Sequence, residues 1–238
     1  MKVRYTEISG ASGSRGGSTA ARNRGGNYWR QRVAPLNPAS IFQNDVRSAF
    51  GALATAWRDT LTAAQRTAWE TYANTVTATD SLGQTVKLTG MNAYIAGNSL
   101  RLGAGQAAVS AAPSDTGSPV FTLPTGVSLT ASADGTSVSL AFTITTTDGF
   151  NAAIGGAVHV FVSPMVTESI RYYKGPFRKW ASKIRTGAAL AALQSINEVP
   201  PQSIFSGGET YVYVKFVSTD SQGRKSSEFI VRVAVEAP

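Results

Sequence analysis

Apolar positions change period along this chain. Phe42, Val46, Phe50, Leu53 and Trp57 recur at spacings of four, four, three and four, the repeat of one face of an α-helix. Ser40 stands three residues before Gln43 at the head of that run, and Thr62 three before Gln65 at the head of a second run marked by Trp69, Tyr72 and Val76. Both pairs fit the capping box, in which a hydroxyl and an amide side chain satisfy orphan N–H groups at a helix start. Asp59 and Thr60 interrupt, so the pattern predicts a helical hairpin joined by a short turn. Residues 80–88 read as a small β-turn excursion. A third helix is predicted from Thr89 or Gly90 to Leu102, with Met91, Tyr94, Ile95 and Leu102 apolar. Three short helices make a small core that is marginal by size, so their aromatic residues are expected to pack against more than each other.

After residue 125 the period falls to two. Val127, Leu129 and Ala131 alternate with polar residues, as do Val138, Leu140, Phe142 and Ile144, the pattern of half-buried strands. Asp134-Gly135 between them is a hairpin signal. Residues 157–162 form another strand, and 211–217 are predicted to pair with 229–235. Residues 187–195, rich in alanine, read as a short helix. Residues 103–124, with Pro113, Pro119 and Pro124, read as a linker. The prediction is an α+β multidomain chain: an extended basic, Gly-rich N-terminal arm (1–38), a helical domain (39–102), the linker (103–124) and an all-β sandwich (125–238).

The arm changes the picture most. From Ile8 to Asn44 there is no Asp or Glu, while Arg15, Arg22, Arg24, Arg30 and Arg32 lie among Gly-Gly pairs. Such a segment buries too little apolar surface to offset its backbone entropy, so it is expected to take its shape from a neighbour. Residues 1–32 carry seven cations against Glu7, a net of +6 out of the chain's +8, which leaves +2 for the remaining 206 residues. The basicity belongs to the arm and not to the folded body. Charged residues make up 15% of the chain, below the usual ~25%, and surfaces so built are often packed against other protein.

Catalytic chemistry finds little support. The fourteen acidic residues lie no closer than eight positions apart, so no paired-carboxylate or acidic metal motif is present. His159, the single histidine, sits in a strand pattern without a Gly-x-Ser-x-Gly elbow, and reads as a strand-face residue. With no cysteine and one histidine, a transition-metal site is not expected. No cofactor is expected either, since neither a Walker loop nor a dinucleotide fingerprint is present. No run approaches the ~20 apolar residues of a membrane span, and the first residues lack the apolar core of a signal peptide.

Two basic, aromatic segments remain as contact candidates. In the arm they are Arg15, Arg22, Arg24, Tyr28, Trp29, Arg30 and Arg32. The second comprises Arg171, Tyr172, Tyr173, Lys174, Phe177, Arg178, Lys179 and Trp180, with no acid between Glu168 and Glu198. Arginine can grip the carboxylates of a protein partner in bidentate fashion. Equally, Arg15-Gly16-Gly17 and Arg24-Gly25-Gly26 with Tyr28 and Trp29 suit phosphates and stacked bases.

Residues 126–132 and 135–142 resemble strands A and B of a fibronectin type III module, with Phe142 where such modules often carry Trp. Residues 211–217 with Asp220, Gly223 and Ser226 resemble its F strand, F–G turn and G strand, and make Tyr211 or Tyr213 the tyrosine-corner candidate. The resemblance departs over 164–208 and by itself implies no chemistry. The front half, with its Gly-rich basic arm, Pro35, Pro38, Gln43, Arg47, Trp57, Gln65, Arg66 and Trp69, resembles uncharacterised phage and prophage structural proteins. That resemblance implies a non-enzymatic structural subunit of a bacteriophage virion, assembled in the host cytoplasm: a head–tail connector, a tail component or a capsid decoration. Its partners would be other copies of itself and other virion proteins, with packaged DNA a second candidate for the arm. A nucleic-acid-binding protein and a carbohydrate-binding or adhesive module are the competing expectations.

Overall fold

Local capping and turn chemistry set the elements of this chain, and the computed structural model describes them for residues 13–23, 26–33, 37, 39–79, 83–131, 138–199 and 211–236. The chain forms two compact units, one of residues 1–96 with 110–116 and the other of residues 97–109 with 117–238. Helices and sheets are both present, as an α+β chain requires.

In the first unit, β1 (Gly13–Arg15), β2 (Ser18–Asn23) and β3 (Gly26–Gln31) form an antiparallel three-stranded sheet. This differs from the expected arm. The backbone is extended, but it folds back on itself instead of running out. Gly16, at φ +58°, turns β1 into β2, a conformation glycine adopts without a Cβ penalty. Ser14 and Thr19, opposite each other in the register, share a 2.8 Å hydroxyl hydrogen bond. Buried Ala20 lies opposite Trp29, so a small residue and a large one share a site on the pleat. Residues 1–12 and Arg24 lie outside the described residues.

Ser40 caps α1 (Ile41–Thr55) by accepting from the Gln43 amide at 3.3 Å. The reciprocal half of the predicted box is not made there. One π turn, Ala56–Thr60, follows and closes with Leu61 N donating to Ala56 O at 2.9 Å. The carbonyls freed at that end are taken up by Arg66, whose Nη1 donates to Trp57 O at 3.2 Å, Arg58 O at 3.1 Å and Leu61 O at 2.9 Å, as helix termini require. Thr62 and Gln65 make the full capping box at the head of α2 (Ala63–Thr75). The excursion predicted over 80–88 is bracketed by a two-stranded ladder of β4 (Ala78–Thr79) and β5 (Thr85–Val86). Then comes α3 (Gly90–Gly103). Trp69 and Tyr94 meet edge to face at 5.5 Å, both buried with Leu53 and Leu61. Trp69 Nε1 donates to Ser110 O at 2.9 Å, so residue 110, read as linker, is fastened to this core.

The second unit is built on seven strands: β6 (Thr125–Ala131), β7 (Val138–Thr143), β8 (Ala157–Val162), β9 (Arg178–Ile184), β10 (Leu193–Glu198), β11 (Tyr211–Thr219) and β12 (Phe229–Glu236). They lie in the order β10-β7-β6-β12-β11-β8-β9. Every pairing is antiparallel except β12 with β6. Alternate residues of both ends of that order enter one core: Leu129, Leu140, Phe142 and Ile196 from one, Val158, Val160, Val162, Val214 and Phe216 from the other. Phe142 and Phe216 sit 5.1 Å apart, tilted by 53°, a favoured aromatic geometry. Phe121, from the segment read as a linker, is buried in the same core.

The helix expected over 187–195 is not formed. Bends occupy 186–188 and β10 begins at Leu193. Alanine favours helix only weakly against tertiary packing. Pairing with β7 turns Ile196 into the core. Asp134-Gly135 lies outside the described residues, although the two strands it was expected to join do pair.

Candidate functional site

Each unit carries one surface that its own packing does not explain. In the first unit it is α1. Its apolar stripe is buried only at the C-terminal end, where Leu53 is covered and Trp57 is half-buried against Tyr94 at 5.8 Å. Toward the N-terminus the stripe emerges, with Val46 70% and Phe50 55% exposed. The periodicity is therefore real, but the expectation of a continuous buried face holds for its second half only. Small Ala49, Gly51 and Ala52 lie between these positions, and the helix has two charges, Asp45 and Arg47, on either side of Val46. Arg47 also donates to Asn37 Oδ1 at 2.7 Å.

The arm residues are divided by the sheet. The registers put Trp29, Arg15 and Arg22 on one face and Tyr28 with Arg30 on the other. Arg15, Arg22, Arg30 and Arg32 are exposed, while Tyr28 and Trp29 are half-buried. Arg24 lies outside the described residues.

In the second unit the 171–180 cluster separates into two sets. Arg171, Tyr172, Lys174 and Arg178 are exposed, and Tyr172 is 74% accessible. Tyr173 and Phe177 are tucked in. They meet edge to face at 5.2 Å, and Tyr173 stacks on Tyr213 at 5.9 Å and 18°. Lys215 Nζ lies 4.9 Å from the Phe161 ring centroid and 5.2 Å from that of Phe177, a cation–π arrangement. Tyr213 Oη donates to Ile170 O at 2.8 Å, and Arg232 Nη2 to Glu168 O at 2.6 Å. The loop is thus fastened just before its exposed stretch by these two hydrogen bonds and within it by the packing of Tyr173 and Phe177. Trp180 belongs to the core, and a β-bulge between β8 and β9 drops it there. As a contact residue, Trp180 is corrected by its burial. Lys179 is corrected too: its Nζ is buried without a hydrogen-bond partner among the described residues.

A polar layer lies on the face of β8 opposite that core. His159 is fully buried, with Nδ1 2.9 Å from Ser182 Oγ and Nε2 2.8 Å from Thr219 Oγ1. Burial first, then the nearby charges of Lys179 and Arg101, push its pKa down to about 3. It is a neutral, hydrogen-bonded residue of the interior. Arg101, buried on α3, donates from Nη1 to Gly155 O at 2.8 Å and Asp220 O at 3.3 Å, and from Nε to Ala107 O at 3.3 Å. Burial lowers its pKa and Asp220 offsets part of that. Asp220 itself pairs with Arg224 at 2.7 Å. Asn98 exchanges two bonds with Val109, at 3.2 and 2.7 Å. The sequence reading missed this layer. Its one legible trace is Arg101 set between Leu100 and Leu102 on α3.

Among the described residues no group of three His, Cys, Asp or Glu is placed to hold a metal ion, and no helix is long and apolar enough to cross a membrane. No protein-family model matches the chain, and no curated protein matches it.

Proposed function

We propose that this chain is a non-enzymatic structural subunit that works as an assembly of its own copies. The observation that carries the reading is the stripe of α1, which leaves the core at Leu53 and continues outward through Phe50 and Val46. An exposed stripe in register with a buried one is what an interface helix presents. A second copy suits it because the patch is apolar, so a two-fold contact can lay each stripe over its twin. The alanines and glycine beside the stripe allow close approach.

The assembly we propose is a bacteriophage virion, with a connector or neck position favoured. This rests on the resemblance of the front half to phage structural proteins. We also infer that the β unit is a fibronectin type III-like sandwich. Support comes from β6 next to β7 and β11 next to β12, as the resemblance implies for strands A, B, F and G, and from the single core shared by both ends of the strand order. One departure stands. Tyr213 donates to Ile170, far from the upstream neighbour that a tyrosine corner uses.

Solution mass tests the subunit reading. By analytical ultracentrifugation the chain is expected as an oligomer, and Val46→Glu with Phe50→Glu as a folded monomer. A wild-type chain that stays monomeric at all attainable concentrations would refute the reading.

A further inference from the structure

The exposed set of the 171–178 segment is unrelated to α1 and is not absorbed by the proposed assembly. Three features distinguish it. First, the loop is held in shape: Tyr173 is stacked on Tyr213, the Tyr213 hydroxyl holds Ile170 O, and Arg232 holds Glu168 O. Tyr172 therefore stands out at 74% exposure from a fastened loop, an aromatic ring presented at low entropic cost. Second, cations flank it, Arg171 before and Lys174 after, and the one acid from residue 164 to 197 is Glu168. Third, the segment runs into β9, the edge strand of the seven-stranded order.

The bulge at Trp180 limits this surface. In the observed register Arg178 pairs with Val162 and Lys183 with Val158, both valines of the core, so these two cations lie on the core side of β9. Tyr173 and Phe177 pack on the other side, with Tyr213, Lys215 and Phe161. The exposed cations beside Tyr172 are therefore Arg171 and Lys174.

We infer that this loop binds single-stranded nucleic acid, with a base stacked on Tyr172 and phosphates held by Arg171 and Lys174. A stacking ring beside a basic track is the common device of proteins that hold single strands without reading sequence. A lipid surface is less well matched, because Tyr172 is joined by little exposed apolar area. Acidic protein is less well matched because carboxylates would pair with the cations and leave the Tyr172 ring without a stacking partner.

The test uses the full chain and a fluorescein-labelled oligothymidylate, read by anisotropy over a salt series. Binding is expected to weaken steeply with salt. Arg171→Gln with Lys174→Gln should lower the slope of log affinity against log salt by about 0.7 per cation removed. Tyr172→Ala should weaken binding about tenfold, within the range found for one base stack, and Tyr172→Phe should restore it. Because Tyr172 is exposed, its replacement leaves the fold intact. Arg15→Gln with Arg22→Gln separates the arm. Loss of binding in that variant, with Tyr172→Ala unchanged, would assign the activity to the arm and overturn the inference. So would an absence of oligonucleotide binding at low salt, whether or not anionic vesicles or an acidic peptide are bound.

Discussion

Nε2 of His159 lies 2.8 Å from Thr219 Oγ1, and solvent reaches neither side chain. The hydroxyl and the ring hold each other in a layer that already contains Arg101 and, within reach of its field, Lys179. Adding a proton to His159 would place a third positive charge there.

The pH consequence has a definite sign. The folded-state pKa is depressed to about 3 from an ordinary 6.5, by burial and then by the charges of Lys179 and Arg101. The unfolded chain therefore takes up the proton first. Stability is fully present above pH 6.5 and falls as pH drops from there toward 3, by at most about 1.4 kcal/mol per pH unit from this group. His159→Gln should flatten the dependence of the urea midpoint between pH 6.5 and about 5.5, where ordinary carboxylates stay largely ionised. Equal slopes in both proteins would show that His159 does not contribute.

Lys179 gives the opposite experiment. Its pKa is lowered by burial to about 8 from 10.5, and its Nζ lacks a partner among the described residues. Folding at neutral pH therefore carries the cost of a buried charge, relieved as pH rises from 8 to 10.5. Lys179→Met should stabilise the chain at pH 7 by about 1–3 kcal/mol, with the gain shrinking toward pH 10.5. A loss of stability at pH 7 would mean that the ammonium is better solvated than its surroundings indicate.

Gly156 tests packing against backbone. A Cβ at this position would fall 1.7 Å from Phe150 O and 2.6 Å from its carbonyl carbon, and no side-chain motion relieves that overlap. Gly156→Ala should cost at least about 4 kcal/mol, a size reserved for a few mechanisms such as severe overpacking, or prevent folding. Gly187, where nothing lies within 4 Å, is the control, and its alanine variant should melt with the wild type.

Local signals account for what was legible in the sequence. The Thr62–Gln65 box, the helical spacing from Phe42 to Trp57 and the alternation in 138–144 each depend on residues a few positions apart, and each marks an observed element. What escaped depends on distant partners. Arg101 looks like a helix-surface residue until Gly155 and Asp220, 54 and 119 positions away, turn their carbonyls toward it. The run from Arg171 to Trp180 looks like one basic, aromatic patch until a bulge sends Trp180 inward and leaves Tyr172 outside. The alanines near 190 favour helix, yet pairing with β7 prevails. Whether Val46 and Phe50 are covered is set by neighbours that intrachain periodicity does not encode.

The parallel contact of β12 with β6 rests on Val235 against Leu129 and Glu236 against Thr130. It is the seam that joins three strands on one side to four on the other. Two residue pairs therefore stitch together ladders whose other strands lie far apart in the sequence. Val235→Pro would leave two shorter ladders with open flanks.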